Sequence, residues 1–242
     1  MIVTGPTSCG KSYLVRQLLT DLKIKPYPQR IIWLYRRWQP LYDDILQSVY
    51  PEVEFIQGIP PELDQDHFLD PNVRNMIIVD DLMSTASKDP KMNDLFTEGS
   101  HHRNLSVIAI NQNLYFSKDP TQRRNCHYLL LFNNPVDTQP ILTLGRQMYP
   151  RHVNYFMHHF EQATQVPYGY LLVDLKPQTA APWRLRPNAF KDQPQNDTSQ
   201  LAPDLLRVQT CSTSLSNMHT CEECGIVFQN GPDLINHRKT WC

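Results

Sequence analysis

The sequence is short of several things, and each shortage excludes something. No apolar run approaches the ~20 residues that a helix needs to cross a bilayer; the longest, MIIV and YLLLF, are strand-sized. Neither sign of charge prevails. With 23 Lys and Arg against 24 Asp and Glu, the formal net charge is −1, so a nucleic acid would be met by local patches rather than by a global cationic field. Glycine is scarce, 8 residues against 20 prolines, which predicts long, stiff connections. No secretory signal is expected at the start, because a glycine loop occupies that region. Six cysteines in 242 residues do not make a disulfide framework, and three of them fall in one pattern at the far end. That usage favours a reducing, intracellular compartment. There is no internal repeat. The length allows one sizeable core and a small appendage, since single cores saturate at roughly 250 residues.

What is present is an alternation of apolar segments. MIVT, IIWLY at 31–35, a short VEFI, NMIIVDD, LSVIAIN, HYLLLF at 127–132 and YGYLLVDL read as strands. Leu14, Val15, Leu18, Leu19 and Leu22 share one face of a helix after the first strand, another helix falls around 41–49, and Val153, Phe156, Met157 and Phe160 mark a later one. Strands that are apolar throughout, rather than alternately, are those covered on both faces in parallel sheets. The expected class is therefore α/β, with a mainly parallel, doubly wound sheet over residues 1–175. From 176 to 217 the composition turns to proline and polar residues and reads as a flexible linker. A compact module follows at 218–242.

The stretch GPTSCGKS at 5–12 fits G-x-x-x-x-G-K-[ST], the Walker A pattern of P-loop NTPases. Gly5 and Gly10 let the loop Pro6-Thr7-Ser8-Cys9 curl so that its N–H groups face phosphate oxygens. Lys11 reaches the β- and γ-phosphates of ATP, the Ser12 hydroxyl ligates Mg²⁺, and the following helix adds its positive end. The alternative is a coincidental turn, but an apolar strand before the motif and an amphipathic helix after it are the required context. MIIVDD closes a buried strand on two carboxylates. Asp80 would hold Mg²⁺ and Asp81 would polarise an attacking water, unless the pair merely opens a solvated acidic turn. LSVIAI ends in Asn111, Gln112 and Asn113, where a polar side chain can sense the γ-phosphate or simply cap the strand. IIWLY is the expected extra strand between the two Walker strands.

Together GPTSCGKS, IIVDDLM, SHHRNLSVIAINQNLYF and the aromatic-rich RRWQPLYDD resemble the viral DNA-packaging ATPases of the FtsK–HerA superfamily. The poxvirus-type members and those of Maverick/Polinton elements and adinto-like viruses are the nearest in kind. The resemblance covers roughly residues 1–175. It implies an ATP-hydrolysing, oligomeric ring motor that drives double-stranded DNA into a preformed capsid. By the same resemblance, Lys11 and Ser12 are the Walker A pair, Asp80 the magnesium aspartate, Asp81 the catalytic acid and Gln112 the polar sensor. Arg103 is then a candidate arginine finger completing a neighbour's site, or else a surface arginine of the loop GSHHRN. Asp-Asp replaces the more usual Asp-Glu, and the first strand lies so near the start that a truncated or domesticated copy is expected.

Cys221, Cys224, His237 and Cys242 follow C-x2-C-x12-H-x4-C, a spacing that suits four ligands around tetrahedral Zn²⁺. Phe228 and Leu234 would form the miniature core of a ββα zinc finger, which cannot fold without metal. The helix positions that read bases in such fingers fall on Asn230, Asp233 and Asn236, with no arginine for guanine. The module is therefore expected to dock protein or to anchor on nucleic acid without reading its sequence. His101–His102 and His158–His159 are adjacent pairs that point in different directions and suit solvated histidines better than a shared ion. Arg36–Arg37–Trp38 and Arg123–Arg124 suit either a DNA channel or solvated faces. Three functions follow: a DNA-packaging translocase with a zinc-binding tail, a zinc-finger adaptor carrying a degenerate ATPase half, or a small-molecule P-loop kinase. The Asn–Gln sensor argues against the last.

Overall fold

A computed structural model describes residues 1–65, 67–82, 92, 95, 96, 104–115, 121–191, 219, 220, 227 and 228. Eight strands form one sheet: β1 (Ile2–Thr4), β2 (Arg30–Tyr35), β3 (Val53–Gln57), β4 (Asn75–Asp80), β5 (Leu105–Asn111), β6 (Tyr128–Phe132), β7 (Tyr170–Asp174) and β8 (Leu185–Pro187). Their order is β3-β2-β4-β5-β1-β6-β7-β8. Pairing is parallel from β3 across to β6, and β7 runs antiparallel to both β6 and β8. The seven strands expected from the sequence are all present.

Successive side chains of a strand point to opposite faces, and both faces are buried. Ile32, Leu34, Ile77, Val79, Leu171 and Val173 join one core layer, while Ile31, Trp33, Met76, Ile78, Tyr170 and Leu172 join the other. Helices α1 (Lys11–Thr20) and α2 (Pro40–Ser48) cover the second layer with Leu14, Val15, Leu18, Leu19, Tyr42 and Ile45. Helices α4 (Gln139–Met148) and α5 (Val153–Thr164) cover the first with Ile141, Leu144, Phe156 and Phe160, and a short α3 (Thr121–Asn125) precedes β6. This double cover is why the strands read as continuous apolar runs. Among the described residues no helix is long and apolar enough to cross a membrane.

Two expectations are corrected. The strand lying between β1 and β4 is β5, not β2; β2 sits on the far side of β4. Helix α1 and the connection at 21–29 carry the chain past β5 and β4, three strand spacings of ~4.8 Å each, so β2 pairs with β4 rather than beside β1. Leu22 does not join the apolar stripe of α1: the helix ends at Thr20, and Leu22 is exposed with φ +53. The sheet also continues beyond residue 175. β8 pairs with β7 through Leu185↔Val173, and Arg186 bonds the buried Asp174 carboxylate at 3.4 Å. In the C-terminal region β9 (His219–Thr220) and β10 (Val227–Phe228) pair antiparallel. The expected zinc ligands Cys221, Cys224, His237 and Cys242 lie outside the described residues, as do Arg103 and His101–His102.

Candidate functional site

The carboxyl ends of β1, β4 and β5 meet at one edge of the sheet, the place where open α/β sheets bind ligands. The glycine loop leaves β1 there. Gly5 is confined on two sides: a Cβ on it would lie 2.6 Å from Phe132 Cβ and 2.8 Å from Cys9 Sγ. Gly10 adopts φ +96, a left-handed conformation that side chains disfavour, and caps α1 through its backbone. Since α1 has no side-chain cap, the N–H groups of its first turn are presented to the loop with the positive end of the helix behind them. Pro6, Thr7 and Ser8 complete the curl, and Ser8 also takes a positive φ of 64. The Cys9 thiol is half-buried against Gly5, and burial pushes its pKa up, which keeps it a neutral filler.

Lys11 turns back over this loop. Its Nζ donates to the carbonyl oxygens of Gly5 at 2.9 Å and Pro6 at 2.7 Å. An ammonium held at the loop's centre by neutral carbonyls can exchange them for phosphate oxygens, which bind cations more strongly. Ser12, on the first turn of α1, donates its hydroxyl to Asp80 Oδ2 at 3.0 Å across 68 positions of sequence. The loop and the end of β4 therefore meet in one place, as the two motifs require. Asp80 is only 3% exposed. Burial raises its pKa, while the hydroxyl donors Tyr42 and Ser12 pull it back down. Asp81, the next residue, is exposed and left-handed at φ +53. That turn swings its carboxylate away from Asp80 and toward β5, where Gln112 Nε2 donates to Asp81 Oδ1 at 3.1 Å. Lys11, Ser12, Asp80, Asp81 and Gln112 are thus assembled at one edge. The neighbouring Asn111 is buried, and among the described residues neither atom of its side-chain amide has a hydrogen-bond partner.

One contributor was not anticipated. Tyr42, 1% exposed on α2, donates its hydroxyl to Asp80 Oδ2 at 3.0 Å, the same oxygen that Ser12 approaches. Its own proton is held firmly, because burial and the Asp80 charge push its pKa up. Tyr42 packs among Trp33, Tyr35, Trp38 and Phe55, with ring centroids 4.9–5.6 Å away. The signal lay in RRWQPLYDD, whose aromatics mark this cluster, although nothing in the string pairs Tyr42 with Asp80. The basic clusters divide: Arg36 and Arg37 are exposed, whereas Arg123 sits 4.2 Å over the Tyr115 ring. In α5, His159 Nδ1 contacts the Tyr155 carbonyl at 2.8 Å and the two histidine rings stand at 86° to one another. Among the described residues no cluster of three or more His, Cys, Asp or Glu side chains is placed to hold a metal.

No protein-family model and no curated protein matches the sequence. Solved structures do resemble the fold. The DNA-packaging ATPase B204 from Sulfolobus Turreted Icosahedral Virus aligns with 74% of this chain and 93% of its own, at 14% identity and a TM-score of 0.50. The genome packaging NTPase B204 from Sulfolobus turreted icosahedral virus 2, in complex with AMPPCP, covers the same shares at 13% identity and 0.49. The cytoplasmic domain of the Type VII secretion ATPase EccC from Thermomonospora curvata aligns with 72% of this chain and 24% of its own, at 13% identity and 0.45. At such identities the first of these likenesses bears on architecture alone: this chain is similar in fold to a P-loop packaging ATPase.

Proposed function

We propose that the chain is a Mg²⁺-dependent ATPase that works as a homo-oligomeric ring and translocates double-stranded DNA, in the manner of a genome-packaging motor. The observation that carries this reading is the 3.0 Å hydrogen bond between Ser12 and Asp80, which joins the glycine loop to the acidic strand end. B204, whose fold this chain resembles, is a DNA-packaging ATPase, and that supports the choice of DNA as the partner.

The Ser12 hydroxyl and Asp80 carboxylate are hard oxygen donors side by side, a pair that fits Mg²⁺. Bound there with the nucleotide, the ion would supply charge neutralisation on the β- and γ-phosphate oxygens. The chain's own residues do the rest. Gly5 to Gly10 and the first turn of α1 cradle the phosphates with N–H groups. Lys11 gives up the Gly5 and Pro6 carbonyls and binds the terminal phosphates. Asp81, held through one oxygen by Gln112, takes the proton of the attacking water with the other. Gln112, whose amide donates to Asp81, would thereby report the γ-phosphate to it. Arg103 of a neighbouring subunit adds positive charge in the transition state. Cys221, Cys224, His237 and Cys242 bind Zn²⁺ in a C-terminal finger that docks a protein such as a capsid component, or anchors on DNA.

The test is the ATP hydrolysis rate of the full chain with and without duplex DNA, alongside the mass of the assembly. Faster turnover with DNA, a mass of several protomers and loss of turnover in Lys11→Ala are the expected results. A monomer that binds zinc and a partner but shows no turnover would overturn the motor in favour of an adaptor. Turnover indifferent to DNA would point to a small-molecule kinase.

A further inference from the structure

Tyr42 has a single hydroxyl proton, and a second hydrogen bond decides where that proton goes. Gln39 Nε2 donates to the Tyr42 hydroxyl oxygen at 3.2 Å, while the hydroxyl itself donates to Asp80 Oδ2 at 3.0 Å. The three groups form one chain of donors, running from the connection between β2 and α2 to the carboxylate that ends β4. A phenol gives one proton and accepts through its oxygen, and an amide nitrogen only donates. With the Gln39 nitrogen on its oxygen, Tyr42 has one acceptor to turn to, Asp80. A carbonyl or carboxylate oxygen in the same place would compete with Asp80 for the proton. Trp33 packs on the same ring with centroids 5.6 Å apart, but its buried Nε1 has no hydrogen-bond partner among the described residues. The bond that Tyr42 accepts therefore comes from Gln39.

The local sequence explains how Gln39 is held for this. Pro40 opens α2, and a residue before proline is pushed out of the helical region into extended backbone. Gln39 follows with φ −126 and ψ 145. It stands at the N-cap, where Ser, Thr, Asp or Asn would turn a short side chain onto the first N–H groups of the helix. Gln39 makes no such bond. Its carbonyl accepts from the Tyr42 N–H at 2.9 Å, and its amide crosses to the Tyr42 hydroxyl. Gln39 is thus tied to Tyr42 through both backbone and side chain. Rings hold the receiving end: Trp38 stands edge-on to Tyr42 at 5.5 Å and 89°, and Phe55 lies at 4.9 Å. Of the two hydroxyls on Asp80 Oδ2, that of Ser12 is also assigned to the ion in the proposed function, whereas that of Tyr42 serves the carboxylate alone.

We propose that Gln39 is a positioning residue of the ion site. By fixing the direction of the Tyr42 hydroxyl, its amide orients the Asp80 carboxylate for a divalent cation. Donors behind a metal-binding carboxylate hold it in place, and their loss weakens metal affinity. The inference rests on the proposed nucleotide and ion site and extends it to the connection after β2. Gln39 is half-buried and follows the exposed Arg36, Arg37 and Trp38, so the hold on the ion answers to the conformation of a surface loop.

The experiment is equilibrium binding of ATP to the full chain, across a Mg²⁺ series and in EDTA, for the wild type, Gln39→Met, Tyr42→Phe and the double variant. Methionine keeps the length of the side chain and removes its donor. The Mg²⁺ concentration for half-maximal ATP binding should rise about three-fold in Gln39→Met, in the lower part of the range for one hydrogen bond. In the Tyr42→Phe background the same substitution should add nothing, since its effect passes through the hydroxyl. Affinity for ATP in EDTA reads the glycine loop and Lys11, and it should stay within about two-fold. An unmoved Mg²⁺ requirement, an equal rise on top of Tyr42→Phe, or an equal loss in EDTA overturns the role of Gln39 and leaves the ion site standing. Wild type that binds ATP no better with Mg²⁺ than in EDTA, or not at all, overturns the ion site and this role with it.

Discussion

The two sides of the glycine loop are built from different material. Toward β5 and β4 it faces hydroxyls, carboxylates and an amide, tied by hydrogen bonds of 3.0–3.1 Å: Ser12 and Tyr42 to Asp80, Gln112 to Asp81. Toward β6 and β7 it faces rings and a tight turn, Phe132 against Gly5 and Tyr168 against Gly10. Within the first side there is a second contrast. Asp80 is buried with two donors on one oxygen, while Asp81, one residue later, is exposed and turned by a positive φ. A fixed carboxylate suits holding a cation in place, and a projecting one suits reaching a water. The parallel half of the sheet thus carries the groups proposed to act on phosphate, and the antiparallel addition carries the wall beside it.

The sharpest way to break this division is to remove the projecting carboxylate. Asp81→Asn keeps the shape and the Gln112 contact but loses the base, and its turnover number is expected to fall about 10³-fold, within the range of general acid–base contributions. Affinity for ATP, measured separately, should stay within about two-fold, because Lys11, Ser12 and Asp80 are untouched. Loss of affinity equal to the loss of turnover would erase the contrast between the two aspartates.

A smaller effect separates positioning from packing. Tyr42→Phe leaves the aromatic cluster filled and deletes only the hydroxyl that Asp80 accepts. A hydrogen bond to a charged group contributes about 1.5–3 kcal/mol, so the Mg²⁺ concentration for half-maximal turnover should rise about ten-fold, with turnover at saturating Mg²⁺ little changed. The sign of the pH effect is fixed as well. The Tyr42 hydroxyl lowers the pKa of Asp80 against the upward push of burial, so its removal raises that pKa. The acid limb of the rate profile should move to higher pH. An unmoved limb and an unmoved Mg²⁺ requirement would make Tyr42 a packing residue only.

The strands and the loop were legible because their causes are local. Continuous apolar runs such as YLLLF answer to cover on both faces, and GPTSCGKS answers to the backbone needs of a phosphate cradle. What was not legible depends on pairing between distant segments. IIWLY and LSVIAIN are equally apolar, and only the register Ala109 with Ile2 on one side and Val79 on the other places β5 at the centre. Tyr42 and Asp80 are 38 positions apart and meet because α2 packs over β2 and β4. The turn at Tyr168 leaves no local signal, since its place at this edge comes from β7 reversing direction beside β6. Leu185–Pro187 has only three residues and a proline, too little pattern to mark β8. Leu22 kept the helical spacing, but the helix had already ended.

In the proposed function Ser12 and Asp80 act as one site on the nucleotide and its ion. A double-mutant cycle on Mg²⁺–ATP affinity, with Ser12→Ala, Asp80→Asn and the pair, tests it most directly. Residues sharing one ligand couple, so the cycle should give an interaction energy of about 1 kcal/mol or more. Additive losses, with the double variant as weak as the two single effects summed, would mean that the loop and the strand end do not hold a common ligand.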